Sequence, residues 1–86
     1  MASYSVFIKP SAVKELQNVP LKNRRKLAAR IRELAQEPRP HGCQKLSSLE
    51  RYRIRHADSR AVYEIDDDLI TVLVVKIGHR RDVYRK

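Results

Sequence analysis

The chain has 86 residues, with 19 Lys and Arg against 10 Asp and Glu, a formal charge of +9 and an isoelectric point near 10.2. That length suits one domain, residues 1–86, with a core near the smallest that folds alone, and a lone cysteine, Cys43, excludes an intrachain disulfide framework. The longest apolar run falls well short of the ~20 residues that cross a bilayer, and no basic-then-apolar leader opens the chain, so a soluble, cytoplasmic protein with no membrane partner is expected.

Twelve of the 19 cationic residues are arginine. The planar guanidinium bonds phosphate and carboxylate bidentately, where lysine acts as a point charge. This balance favours a phosphate-rich or acidic partner, the plain alternative being a solvated basic surface.

Tyr4 to Lys9 alternates and is rich in β-formers, which predicts a first strand ended by Pro10. Ser11 is the expected N-cap of a short helix that turns Val13 and Leu16 to the core. Asn18-Val19-Pro20 breaks it, and a second helix is expected from Pro20 to Glu37, stopped by Pro38. Leu27, Ile31 and Leu34 form its apolar stripe, opposite Lys22, Arg25, Lys26, Arg32, Glu33 and Gln36. Pro38 to Gly42 reads as a loop that exposes His41. Leu46 and Leu49 are expected to pin the next, irregular stretch to the core.

From Arg51 the pattern changes to strands. Arg51 to His56 alternates strictly, with Tyr52, Ile54 and His56 on one face and Arg51, Arg53 and Arg55 on the other. Ala57 to Ser59 is a turn. Arg60 to Ile65 is the next strand, with Ala61, Tyr63 and Ile65 inward. Asp66-Asp67-Asp68 is a second turn rather than a cation site. Leu69 to Ile77, apolar on both faces except at Thr71 and Lys76, predicts a strand covered on both sides. The order is β-α-α-β-β-β. It describes an α+β fold in which an N-terminal strand and a helical hairpin pack on an antiparallel sheet of about four strands.

The chemistry concentrates at one end of this sheet. Arg53 and Arg55 share a strand face, Arg60 starts the neighbouring strand, and His79, Arg80, Arg81 and Tyr84 leave the end of the last one. Such a row suits a polyanion backbone, with bases resting on Tyr or Arg planes. His79 is a candidate for proton transfer near neutral pH by residue type, or else part of a basic C-terminal patch. His56 and Tyr63 read as structural. No His or Cys spacing matches a metal site, and two glycines cannot make a phosphate loop, so no metal and no cofactor are expected.

The segments YRIR (from Tyr52), SRAVYEI (from Ser59) and GHRRDVYR (from Gly78), with the order of elements upstream, resemble the RelE-type toxins of the RelE/ParE toxin–antitoxin superfamily. The resemblance spans essentially the whole chain and is most specific from Tyr52 to Arg85. It implies the toxin of a type II toxin–antitoxin system, a ribosome-dependent endoribonuclease that cuts mRNA through attack by the ribose 2′-hydroxyl and blocks translation. Its partners would be an acidic antitoxin, the ribosome and mRNA. It places catalytic roles on Arg60, Arg80, Tyr84 and His79 and RNA binding on Arg53 and Arg55; Lys45 and Arg81 are further candidate RNA-binding residues. The family often carries lysines where this chain has Arg53 and Arg55. Arginine stays protonated and is a poor general base, which leaves His79 or Glu50 for that task. The alternative reading is a ParE-type inhibitor of DNA gyrase without nuclease activity, and a further one is a plain RNA-binding module.

Overall fold

The computed structural model describes residues 3–46 and 51–79. Its elements are β1 (Ser5–Ile8), α1 (Pro10–Gln17), α2 (Leu21–Glu33), β2 (Gln44–Lys45), β3 (Arg51–His56), β4 (Ser59–Asp66) and β5 (Thr71–His79). The strands form one sheet in the order β1-β5-β4-β3-β2, with both helices on one face. The α+β class, the helical hairpin and the antiparallel β3-β4-β5 meander are as the sequence predicts. Two features go beyond it. Gln44–Lys45 adds a fifth, two-residue strand, and β1 joins β5 in parallel, which makes the sheet mixed. A period-two pattern reports which face a residue takes, not the direction of its partner strand.

Local starts and stops are set by proline and backbone pairing. The first helix begins at Pro10, not at a Ser11 cap, and Lys9 occupies the cap position without a side-chain bond. Proline suits the first helical position because its missing N–H would have no intrahelical partner there. Lys9 N–H still donates to Val74 O, so strand pairing runs directly into the helix. The buried residue of α1 is Ala12, 0% exposed, whereas Val13 is 38% exposed, contrary to expectation. The small side chain lets α1 lie close on β5. At its other end Arg24 of α2 donates to Val19 O and Gln17 O, satisfying carbonyls that a helix terminus leaves over.

The second helix buries Leu27 and Ile31, with Leu34 at its C-cap, and all six polar residues predicted outward are exposed, Gln36 from beyond the helix end. It ends at Glu33, four residues before the predicted stop at Glu37. Its last turn tightens through i→i−3 bonds from Leu34, Ala35 and Gln36, and Ala35 O accepts the Tyr4 N–H. That bond ties the helix end to the start of β1. Leu46 is exposed rather than a core pin, and Leu49 lies outside the described residues.

The last strand departs most from expectation. Leu69, 71% exposed, and Ile70 belong to the turn after β4, where Asp66 Oδ1 accepts the Leu69 N–H. Ile70 sits at φ 53°, a left-handed conformation unusual for a β-branched residue. Within β5, Val72, Val74 and Ile77 are buried against the helices, while Leu73 and Val75 are half-buried on the other face, so the strand is covered fully on one side only. The spacing from Val74 to Ile77 breaks the alternation. Tyr63 pairs with Val74 and Val62 with Lys76, which leaves Val75 as an extra, bulged residue.

Tyr63 anchors the core at the opposite end of the sheet. It is fully buried, stacks on Tyr52 with ring centroids 5.9 Å apart, and donates its hydroxyl to Pro38 O at 2.7 Å. Burial, with Cys43 beside it, pushes that hydroxyl well above the ordinary tyrosine range. Arg39 donates to the Tyr52 hydroxyl at 3.0 Å, lies 5.2 Å from the Tyr52 ring centroid and pairs with Asp67 at 2.9 Å. Tyr4 donates its hydroxyl to the same carboxylate at 2.7 Å. The Arg39 bond, then the Tyr4 bond, hold the Asp67 carboxyl below the usual range.

Both tyrosine and aspartate contacts at this end are open to stability measurements. Tyr63→Phe removes the buried donor and strands the Pro38 carbonyl, which should cost about 1–2 kcal/mol in urea unfolding with an unchanged denaturant slope. Because the folded Asp67 carboxyl is depressed, its contribution is present above the ordinary aspartate range and is lost as pH falls through the folded value. The stability gap between the wild type and Asp67→Asn should therefore narrow between about pH 5 and about pH 2, and a gap constant across that range would refute the linkage.

Candidate nucleic-acid interface

The face of the sheet opposite the helices carries the arginines. In the β3–β4 register Arg51 lies across from Glu64, Arg53 from Val62 and Arg55 from Arg60. Alternation puts all six side chains on that face, because Tyr52, Ile54, Ala61 and Tyr63 fill the other. At one end Arg51 forms an ion pair with Glu64, and Arg53 donates to the Gln44 side chain of β2. At the other end Arg55, exposed, and Arg60, half-buried, stand directly opposite one another. Side chains so opposed have Cβ atoms about 5 Å apart, and like charges there are destabilising; an anion seated on them lowers that cost.

The β4–β5 register completes this end. Gly78 is the cross-strand neighbour of Arg60, so the β5 position directly across from that residue carries no side chain. His79 is the neighbour of Ser59, on the helix side. Ser59 is 0% exposed, and its hydroxyl lies 2.9 Å from His79 Nδ1. The imidazole edges a cleft of about 360 Å³ lined by Glu15, Asn18, Lys76, Ile77, Gly78 and His79.

The predicted residues therefore divide. Arg53, Arg55 and Arg60 share one face, in line with their spacing. His79 lies across the sheet from them, moved there by the Val75 bulge. Lys45 pairs in register with Tyr52 and its Nζ lies 6.0 Å from the Tyr52 ring centroid, so it too belongs to the opposite face. Arg80, Arg81, Tyr84 and Glu50 lie outside the described residues. Among the described residues, no three His, Cys, Asp or Glu side chains converge as a metal site would need.

Sequence reasoning missed Gln44, Glu64 and Ser59, which hold Arg53, Arg51 and His79. Glu64 was legible in principle, since the predicted strands and turn place it opposite Arg51. Ser59 and Gln44 were not: the first needs the bulge, and the second lies in a strand too short to show a pattern. Among the described residues, no helix is long and apolar enough to cross a membrane.

Comparison with known proteins agrees with this architecture. Residues 6–84 match the family model described as the ParE toxin of the type II toxin–antitoxin system parDE. A search of curated proteins gives no match. Among solved structures, the isolated E. coli RelE toxin superposes with a TM-score of 0.81 at 23% identity, covering 95% of this chain and 92% of that one. The toxin–antitoxin complex RelBE2 of Mycobacterium tuberculosis gives 0.79 at 23% identity, covering 91% and 99%. The archaeal RelE–RelB complex of Pyrococcus horikoshii gives 0.79 at 24%, covering 93% and 98%. At these identities the structural matches speak to the fold, and the family model speaks to membership over nearly the whole chain. The chain belongs to the ParE toxin family of type II toxin–antitoxin systems, within the RelE/ParE superfamily.

Proposed function

We propose that this toxin is an endoribonuclease that cuts mRNA on the ribosome and so arrests translation. The observation that carries the reading is the row of Arg53, Arg55 and Arg60, brought together from adjacent strands at the glycine end of β5. In the reaction the 2′-oxygen of a ribose attacks the neighbouring phosphorus, and the bond from phosphorus to the 5′-oxygen breaks. The 2′-hydroxyl proton leaves, a proton is delivered to the 5′-oxygen, and the products are a 2′,3′-cyclic phosphate and a 5′-hydroxyl. Such chemistry asks the protein to align the nucleotide, neutralise the extra charge on the phosphorane and move two protons. Arg60, with Arg80 from the adjoining sequence, takes the phosphate. Arg53 and Arg55 grip the backbone, with Lys45 and Arg81 as outlying cations. Tyr84 stacks on a base or bonds the reacting ribose, and His79 serves as a proton carrier.

The +9 charge suits an acidic antitoxin as the partner that silences the toxin, in keeping with the antitoxin-bound RelE structures it resembles. The cytoplasm, where ribosomes and mRNA meet, is the site of action that goes with this reading.

A second reading, inhibition of DNA gyrase without nuclease activity, is favoured by the ParE family model and by the position of His79 across the sheet from the arginines. Mapping transcripts by primer extension in arrested cells separates the two. Cut messages with cyclic-phosphate ends support cleavage, and intact messages with DNA damage support gyrase inhibition. For cleavage, Arg60→Ala should lower the rate by ~10²–10³ while the chain stays folded, and wild-type cleavage by that variant would remove Arg60 from the site.

A further inference from the structure

The parallel pairing of β1 with β5 runs from Ser5–Thr71 to Ile8–Val74 and stops there, because the chain turns into α1. Beyond Val74 the outer edge of β5 has lost its strand neighbour. The bulge at Val75 falls at this point, where pairing from one side has ceased and the strand is held only by β4. A bulge so placed can migrate, and a one-residue slip turns each subsequent side chain to the other face.

Glu15 of α1 closes the gap. Its Oε1 accepts the Ile77 N–H at 2.8 Å, and its Oε2 lies 3.0 Å from Lys76 Nζ. The carboxylate thus occupies the acceptor position that a continued β1 would have supplied, two residues after the bulge. That bond selects the register in which Ile77 enters the core, Gly78 stands across from Arg60, and His79 meets Ser59. In either slipped register the side chain of Ile77 or His79 would stand beside Arg60 instead.

We propose that Glu15 is a positioning residue for the arginine site: it fixes the phase of β5 after the bulge and keeps a glycine beside Arg60. The inference rests on the reading of the arginine row as the working face, but its structural half can be measured without any activity. Amide exchange on the purified full-length chain, with NMR contacts between Ser59 and the His79 ring, reads the register directly. Cleavage of message on programmed ribosomes reads the consequence.

In Glu15→Ala, Ile77 exchange should rise on the order of 10-fold with interior β3 and β4 amides unchanged, and the Ser59–His79 contact should weaken. The kcat should fall on the order of 10-fold with KM held within about 2-fold, since misplacement affects the transition state more than binding. Glu15→Gln keeps an oxygen that can accept from Ile77 and should restore most of both readouts, while Lys76→Met, which removes only the ion pair, should resemble wild type. If Glu15→Ala does not fold, Glu15→Asp, which keeps the charge but shortens the reach, should give the same pattern. Unchanged Ile77 protection overturns the proposal. So does faster Ile77 exchange with unaltered kcat, or a Glu15→Gln variant as impaired as Glu15→Ala. If the wild type itself cuts no message, the nuclease reading fails alone; growth-arrest potency then replaces kcat, and the exchange data still decide the role of Glu15.

Discussion

One inserted residue, Val75, governs the arginine-bearing end of this sheet. Before it, β5 sends Val72 and Val74 to the helices; after it, Ile77 takes the next core position three residues on. The strand can thereby keep an apolar residue against α1 at both ends while its pairing with β4 continues to His79. The same insertion decides that a histidine meets Ser59 and a glycine meets Arg60. Bulges raise local twist and re-aim the side chains beyond them, and here the re-aiming separates an imidazole from a row of guanidiniums.

A sheet with short outer strands leaves backbone groups over, and this fold meets them with side chains from its helices. Among the described residues β2 covers only Tyr52 and Arg53 of β3, with Leu46 N–H reaching Arg51 O, and Arg30 of α2 donates to Arg55 O at 2.9 Å beyond that cover. Glu15 does the corresponding work on β5. Each contact joins a helix to an otherwise open sheet edge, which also blunts the edge against pairing with other chains. The surface ion pairs contribute little individually, about 0–1 kcal/mol. Burial of Leu27, Ile31, Leu34, Ile54, Tyr63, Val72, Val74 and Ile77 contributes far more, at roughly 1.5–3 kcal/mol for each fully buried aliphatic or aromatic side chain. The polar contacts therefore act mainly on specificity, by choosing register and edge closure for a core whose stability is apolar.

Where periodicity is strong, the chain can be read directly. The strict alternation of Arg51 to His56 identifies the arginine face, and the stripe of Leu27, Ile31 and Leu34 identifies the buried side of α2. Short segments reveal less. Over eight residues, Ala12 and Val13 differ by one position in phase, and hydrophobicity alone favours valine, whereas close packing on β5 selects the smaller alanine. Leu69 and Ile70 extend an apolar run that the Asp66 side chain in fact interrupts by capping a turn. The direction of β1, the bulge and the partner of His79 all depend on pairing between residues 11 to 66 positions apart, and a local pattern does not encode that.

The composition of the arginine face limits the chemistry it can perform alone. The titratable groups paired across its β3–β4 row are Arg51, Arg53, Arg55, Arg60 and Glu64, and Glu64 is engaged by Arg51. A guanidinium remains protonated in proteins, so the row can bind a polyanion and stabilise charge that develops on it, but it cannot accept the proton of a ribose hydroxyl. A lysine at position 53 or 55 could lose its proton in a desolvated site; an arginine there trades that capacity for bidentate grip. Any RNA cleavage on this face must therefore separate charge stabilisation from proton transfer. The first belongs to the sheet, whose register sets three guanidiniums in fixed relation. The second must come from elsewhere: His79 across the sheet, the tyrosine or glutamate of the flanking sequence, or the RNA and its ribosomal surroundings.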